Sequence, residues 1–213
     1  GTDGISIELS DDATVQDNRI EDAAASGIKV VDSDGVKIGG TPANGNTISN
    51  AGADGILIQS SDNALVKNNS VKFTIANGIE VKDSADATIV KNTVEDADLN
   101  GVLIGNSDFA SVDANTVTRS GKDGIRVNGS KQVGVTSNTI ADAGLNGIRI
   151  NNSNRATVEG NTIDTTGDAG IYVFSSNKAD IFDNFIGTTG GVSNIGTDGI
   201  SIELSDDATV QDN

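Results

Sequence analysis

The chain has 213 residues, with 26 Gly, 3% aromatics and no Cys, Met, Trp or His. Its 14 Lys and Arg against 31 Asp and Glu give a formal charge of −17, which argues against nucleic acid as a partner, because binding it takes cations in a row to neutralise phosphates, and against an anionic membrane surface. Without Cys there is no disulfide framework and no thiolate metal site, and no apolar run approaches the ~20 residues of a membrane span.

One pattern organises everything: G-I-x-I-x-x-S-x-x-A-x-V-x-x-N-x-I, opening at Gly4, Gly27, Gly55, Gly78, Gly101, Gly124, Gly147, Gly170 and Gly199. The spacings are 23, 28, 23, 23, 23, 23, 23 and 29 residues, a period that points to a solenoid. Each opening glycine is position 0 of a rung. In the first rung Ile5 and Ile7 alternate with polar residues, Ala13 and Val15 repeat the alternation, and Ile20 supplies a third inward residue. That predicts three short strands with one buried face each. The second rung keeps Ile28 and Val30 but inserts five residues, within Gly39-Gly40-Thr41-Pro42-Ala43-Asn44-Gly45, between its second and third strands. The third to seventh rungs hold the 23-residue period, and helical periodicity is absent throughout. The eighth adds six residues between Gly187 and Asp198, and Phe182 and Phe185 are expected to pack that loop.

Two polar columns mark the corners. Position 6 is Ser10, Ser33, Ser61, Ser84, Ser107, Ser130, Ser153, Ser176 and Ser205. Position 14 is Asn18, Asn69, Asn92, Asn115, Asn138, Asn161, Asn184 and Asn213, with Asn46 in the equivalent place after the first insertion. Asn tolerates the left-handed conformation of a tight bend, and its amide can bond the next Asn in a stack. Both columns are structural, because a catalytic site is not built nine times over. Asp and Asn before the glycine and after the serine read as turn residues.

Three strands per rung in constant register are satisfied by an all-β parallel β-helix. It would have about eight rungs plus part of a ninth, rising roughly 4.8 Å each. The ninth rung carries a second repeat: residues 196–213, GTDGISIELSDDATVQDN, match residues 1–18 at 18 of 18 positions. Neighbouring rungs are far more divergent, with 7 matches in 15 between Gly124–Asn138 and Gly147–Asn161. Residues 1–195 therefore read as one eight-rung unit and 196–213 as the start of the next, cut from a longer tandem array.

The rungs resemble the right-handed, single-stranded parallel β-helix repeats of large bacterial extracellular and surface proteins, in the pectate-lyase-like solenoid superfamily. The stretches Ile38-Gly39-Gly40-Thr41 through Asn46-Thr47-Ile48-Ser49, and Asn184-Phe185-Ile186-Gly187-Thr188 followed by Asp198-Gly199-Ile200, are similar to recurring phrases of that family. The resemblance covers essentially the whole chain and implies the fold and its handedness. It spans lyases, polygalacturonases, epimerases, tailspikes and plain stalks, and fold does not decide among them. Polygalacturonase-like and epimerase-like sites use a histidine beside paired acids, and this chain has none to carry over.

The outward face of the first strand offers one candidate ligand strip. Arg126, Arg149 and Tyr172 should stack at position 2, with Asn128, Asn151 and Phe174 beside them at position 4 and acids missing from the patch. Asp11, Asp12, Asp32 and Asp34 are weak candidates for a cation, with Ca²⁺ the possible ion; no other cofactor is implied. The function expected first is structural and not enzymatic: a segment of a long extracellular or cell-surface stalk, adhesin or filament, stacking end to end with copies of itself. The alternative is a carbohydrate-binding or polysaccharide-lyase-like β-helix acting on a glycan.

Overall fold

The computed structural model describes residues 2–187 and 195–213. Most of the second insertion, residues 188–194, lies outside the described residues, and so does any packing of Phe182 and Phe185 on it. Every named element is a strand, and the strands form three parallel sheets. The first sheet has nine strands, from Ile5–Glu8 to Ile200–Glu203, and the second has nine, from Thr14–Val15 to Thr209–Gln211. The third has eight, from Arg19–Glu21 to Phe185–Ile186. Each strand pairs with its own copy one rung away: Ile79 lies opposite Ile56 on one side and Val102 on the other. A one-residue slip would turn every inward side chain outward, so the hydrophobic columns hold the 23-residue register.

The core is a set of vertical stacks. Ile56, Ile58, Val66 and Val71 of the third rung are almost wholly buried on the same positions of the rungs above and below. Burial of each Val- or Ile-sized side chain contributes roughly 1.5–3 kcal/mol. β-branched residues suit the pleated surface, so the core closes without aromatics. A further inward column stands at position 19: Ala51, Thr74, Ala97, Ser120, Ala143 and Thr166. Small and hydroxylated residues leave no hydrophobic alternation to read, so this column is silent in the sequence.

Four backbone bends make the turns in each of the first seven rungs, each with one residue at positive φ. They fall at position 5 (Asp32, φ 48°), position 8 (Asn63, φ 58°), position 13 (Asn68, φ 56°) and position 18 (Asn50, φ 56°). The sequence assigns one bend to the Asn column; the structure places it one residue earlier, at Asp17, Asn68, Lys91, Ala114, Ser137, Gly160, Asp183 and Asp212. The bend residue must lie outside the core, whereas the Asn side chain turns inward to bond its neighbours, so one residue cannot do both. The opening glycine is required by close approach. A Cβ on Gly55 would run into Val71 Cγ1 and come within 2.6 Å of Gly78 O.

Candidate functional site

The polar columns use up their own hydrogen-bonding capacity. From Ser33 onward, each Ser Oγ accepts the N–H of the serine one rung earlier and donates to the carbonyl two residues back in its own rung. Ser107 Oγ, for example, accepts from Ser84 N at 3.1 Å and donates to Gly105 O at 2.8 Å. The ladder runs from Ser10 to Ser205. In the Asn column, Asn115 Oδ1 accepts both N–H and Nδ2 of Asn92, while Asn115 Nδ2 donates onward to Asn138 Oδ1 and to Ile89 O. This ladder runs from Asn18 through Asn46 to Asn213. These side chains are internal braces.

A third buried ladder was hidden in the residues before the glycine. Asn77 Nδ2 donates to Asp54 Oδ1 (3.1 Å), Asn100 Nδ2 to Asn77 Oδ1 (2.8 Å), and Asn146 Nδ2 to Asp123 Oδ1 (2.9 Å). The reading as turn residues misses it, because Asp and Asn serve turns and ladders alike. The column is imperfect. Asp123 is fully buried and its Oδ2 makes no hydrogen bond among the described residues. Burial, with Glu80 adding, holds the Asp54 carboxyl above the ordinary carboxylate range, partly opposed by hydrogen bonds from Asn77.

The four cation candidates do not converge. Asp11 Oδ1 accepts Asp34 N–H at 2.9 Å, and Asp34 Oδ1 accepts Asp62 N–H at 2.8 Å. Asp12 and Asp32 are bend residues with φ of 56° and 48°. No group of three or more His, Cys, Asp or Glu able to hold a metal occurs among the described residues.

The strip does assemble. Arg126 pairs with Arg149 and Arg149 with Tyr172 on successive strands, while Asn128, Asn151 and Phe174 form the parallel row. The Arg149 guanidinium lies 5.3 Å from the Tyr172 ring centroid, within cation–π range. The Tyr172 and Phe174 rings stack at 6.2 Å and 25°. Asn151 Nδ2 donates to Asn128 Oδ1 at 2.7 Å. Neither Arg126 nor Arg149 makes an ion pair among the described residues, and the buried Nε of each has no acceptor there.

The expectation that acids are missing from this patch is corrected. Tyr172 Oη donates to Glu203 Oε2 at 3.2 Å, and a cleft of about 410 Å³ beside it is lined by Arg149, Tyr172, Asp168, Asp198 and Glu203, among others. Burial first and Glu203 second push the Tyr172 hydroxyl up, so it keeps its proton at neutral pH. The signal was present in the sequence: Glu203 occupies position 4 one rung beyond Phe174, so the row continues into the duplicated rung.

The chain matches the family described as right handed beta helix region over residues 1–71 and 36–186. No curated protein matches it. Solved structures resemble it at low identity. The periplasmic alginate epimerase AlgG is 15% identical with TM-score 0.64, over 95% of this chain and 47% of that one. The catalytic unit of an α-1,3-glucanase from Streptomyces thermodiastaticus is 18% identical with TM-score 0.68, over 96% and 46%. DFA-IIIase from Arthrobacter chlorophenolicus A6, in complex with GF2, is 14% identical with TM-score 0.72, over 90% and 53%. The chain thus spans about half the length of these carbohydrate-processing proteins, and at such identity the likeness establishes the fold alone. With three parallel sheets, in-register rungs and the family match over most of its length, the chain belongs to the right-handed β-helix family.

Proposed function

We infer that the chain is a glycan-binding segment of an extracellular or periplasmic β-helix, holding an acidic polysaccharide along the Arg126–Arg149–Tyr172 strip without turning it over. The observation that carries this reading is the pair of stacked arginines with no ion-pair partner among the described residues, in a chain of charge −17. Guanidinium groups suit planar carboxylates, and successive strands set them roughly 4.8 Å apart. Tyr172 and Phe174 add an aromatic surface at one end. Carbohydrate-processing neighbours support the ligand class. Binding without turnover is favoured because the chain has no His, Tyr172 holds its proton, and the Glu203 carboxylate beside it is engaged by the Tyr172 hydroxyl at 3.2 Å.

Affinity electrophoresis in gels containing acidic or neutral polysaccharides tests this. Retardation is expected in an acidic glycan and should disappear in R149A/Y172A. Equal mobility with and without every glycan would reject the reading, and so would retardation that survives both substitutions.

A second reading, favoured by the match of 18 in 18 residues between 1–18 and 196–213, is that the strip recurs along a tandem array of 195-residue units. Each unit would advance roughly 38 Å, eight rungs of ~4.8 Å. Peptide mapping of the native polypeptide should then show the 195-residue period; a native chain with one copy would refute it.

A further inference from the structure

We propose that the cleft around Phe73 and Ile75 is a second binding site, which takes an organic cation: an alkylammonium group carried on an apolar body. It stands at the bend closing the third sheet in the first four rungs. The strip lies on the first sheet of the sixth to eighth rungs, and the proposal does not depend on the glycan reading.

Two outward columns change character at this bend. Polar residues hold position 18 in the neighbouring rungs, among them Asp22, Asn50 and Asp96, but the third rung has Phe73, at φ 56°. Asp and Asn tolerate that left-handed conformation, and a bulky residue is an outlier in it. Two residues on, Gly52, Gly121, Gly144 and Gly167 recur, but the third rung has Ile75. Phe73 is 53% and Ile75 64% exposed. A described rung pairs on either side of their strand, so the exposure does not come from an end of the chain.

The neighbouring rung makes room beside them. Gly52 lies next to Ile75, Ala51 is small, and the two apolar side chains wall a cleft of about 570 Å³, a size that suits a small ligand. A Cβ on Gly52 would come within 2.5 Å of Ala24 O, so that side stays open.

The rim is acidic, with Asp22, Asp96 and Asp98. The nearby cations are engaged elsewhere. Lys72 Nζ lies 2.5 Å from Glu95 Oε2, and Arg119 pairs with Glu95 and, at 2.7 Å, with Asp96 Oδ1. Asp22 accepts a hydrogen bond from Asn50 Nδ2 at 3.0 Å but, like Asp98, makes no ion pair among the described residues. These carboxylates repel an anion, and a neutral apolar ligand gains nothing from them. An ammonium group gains from Asp22 and Asp98 and from cation–π contact with the exposed Phe73 ring. Its apolar body covers Ile75.

Benzyltrimethylammonium is titrated into the isotope-labelled chain, and amide shifts are followed by NMR. Benzoate, benzyl alcohol and methyl glucoside serve as the anionic, neutral and sugar comparisons. Saturating shifts are expected at Asn50–Gly52, Phe73–Ile75 and Asp96–Asp98. The ammonium should bind at least about fivefold more tightly than benzyl alcohol. F73N/I75G installs the residue types that the second rung carries at Asn50 and Gly52, so the fold is retained, as the spectrum checks, while affinity should fall at least about tenfold. D98N should weaken the ammonium and leave benzyl alcohol unaffected. Shifts centred on Arg149 and Tyr172 instead, equal affinity for benzyl alcohol, preference for methyl glucoside, or full binding by F73N/I75G would each overturn the proposal. So would the absence of saturating shifts at the cleft, or shifts there that follow protein concentration and not ligand, which mark a contact between copies.

Discussion

Asp123→Asn should stabilise the solenoid. In the buried ladder ahead of the glycines, each Asn Nδ2 donates to the oxygen of the residue one rung earlier. At Asp123 the donor is missing: Asn100 Oδ1 receives only the Asp123 N–H, at a long 3.3 Å, and Asp123 Oδ2 is buried without a partner. An Asn amide would fill that slot and keep an oxygen for Asn146, whose N–H and Nδ2 both donate to Asp123 Oδ1. Relieving a buried unpartnered oxygen is worth about 1–3 kcal/mol. The urea midpoint should rise with an unchanged m-value, which separates stability from altered compactness. Asn100→Asp is the converse: it removes the 2.8 Å bond to Asn77 and should cost a similar amount. An unchanged or lowered midpoint for D123N would refute the slot argument.

Other perturbations test separate parts of the structure. Asp54→Asn should stabilise at neutral pH and lose that advantage in acid. Because burial raises the folded-state pKa of Asp54, its contribution is most favourable below the ordinary unfolded value of ~3.9 and declines as pH rises through the folded value; urea midpoints of both proteins at acid and neutral pH check the sign. Ser107→Ala, which deletes one accepted and one donated bond mid-ladder, should lower stability by about 1–3 kcal/mol in the same assay. Gly101→Ala should cost at least about 1–3 kcal/mol by overpacking, since its Cβ would lie 2.7 Å from Gly124 O. Gly134→Ala, with nothing within 4 Å, should be neutral or gain up to about 1 kcal/mol.

Architecture was the legible part of this chain because it is written as repetition. Alternation such as Ile56-x-Ile58 and the recurring Ser and Asn columns, 23 residues apart except at the two insertions, allow one register, and that register fixes the sheets and the core stacks. Features without a repeating chemical signature were not legible. Thr74 and Ser120 fill an inward column that looks polar in sequence. Asp54 and Asp123 are ladder members that read as turn residues. The left-handed bend lies beside the Asn column, at positions occupied by residues as different as Lys91 and Ala114. In the strip, spacing alone brings Arg126, Arg149 and Tyr172 together. The Glu203 hydrogen bond depends on following the row across the longer 29-residue rung, where the period is interrupted.

Calorimetric titration of an acidic oligosaccharide into the chain tests the central claim most directly, with R149A/Y172A and K131A alongside. Lys131 lies on the bend that follows the strip strand, three residues beyond Asn128, and makes no ion pair among the described residues. One site per chain, weakened by added salt, lost in R149A/Y172A and retained in K131A, is the predicted result. Binding unaffected by R149A/Y172A, or no heat with acidic or neutral oligosaccharides, would contradict it.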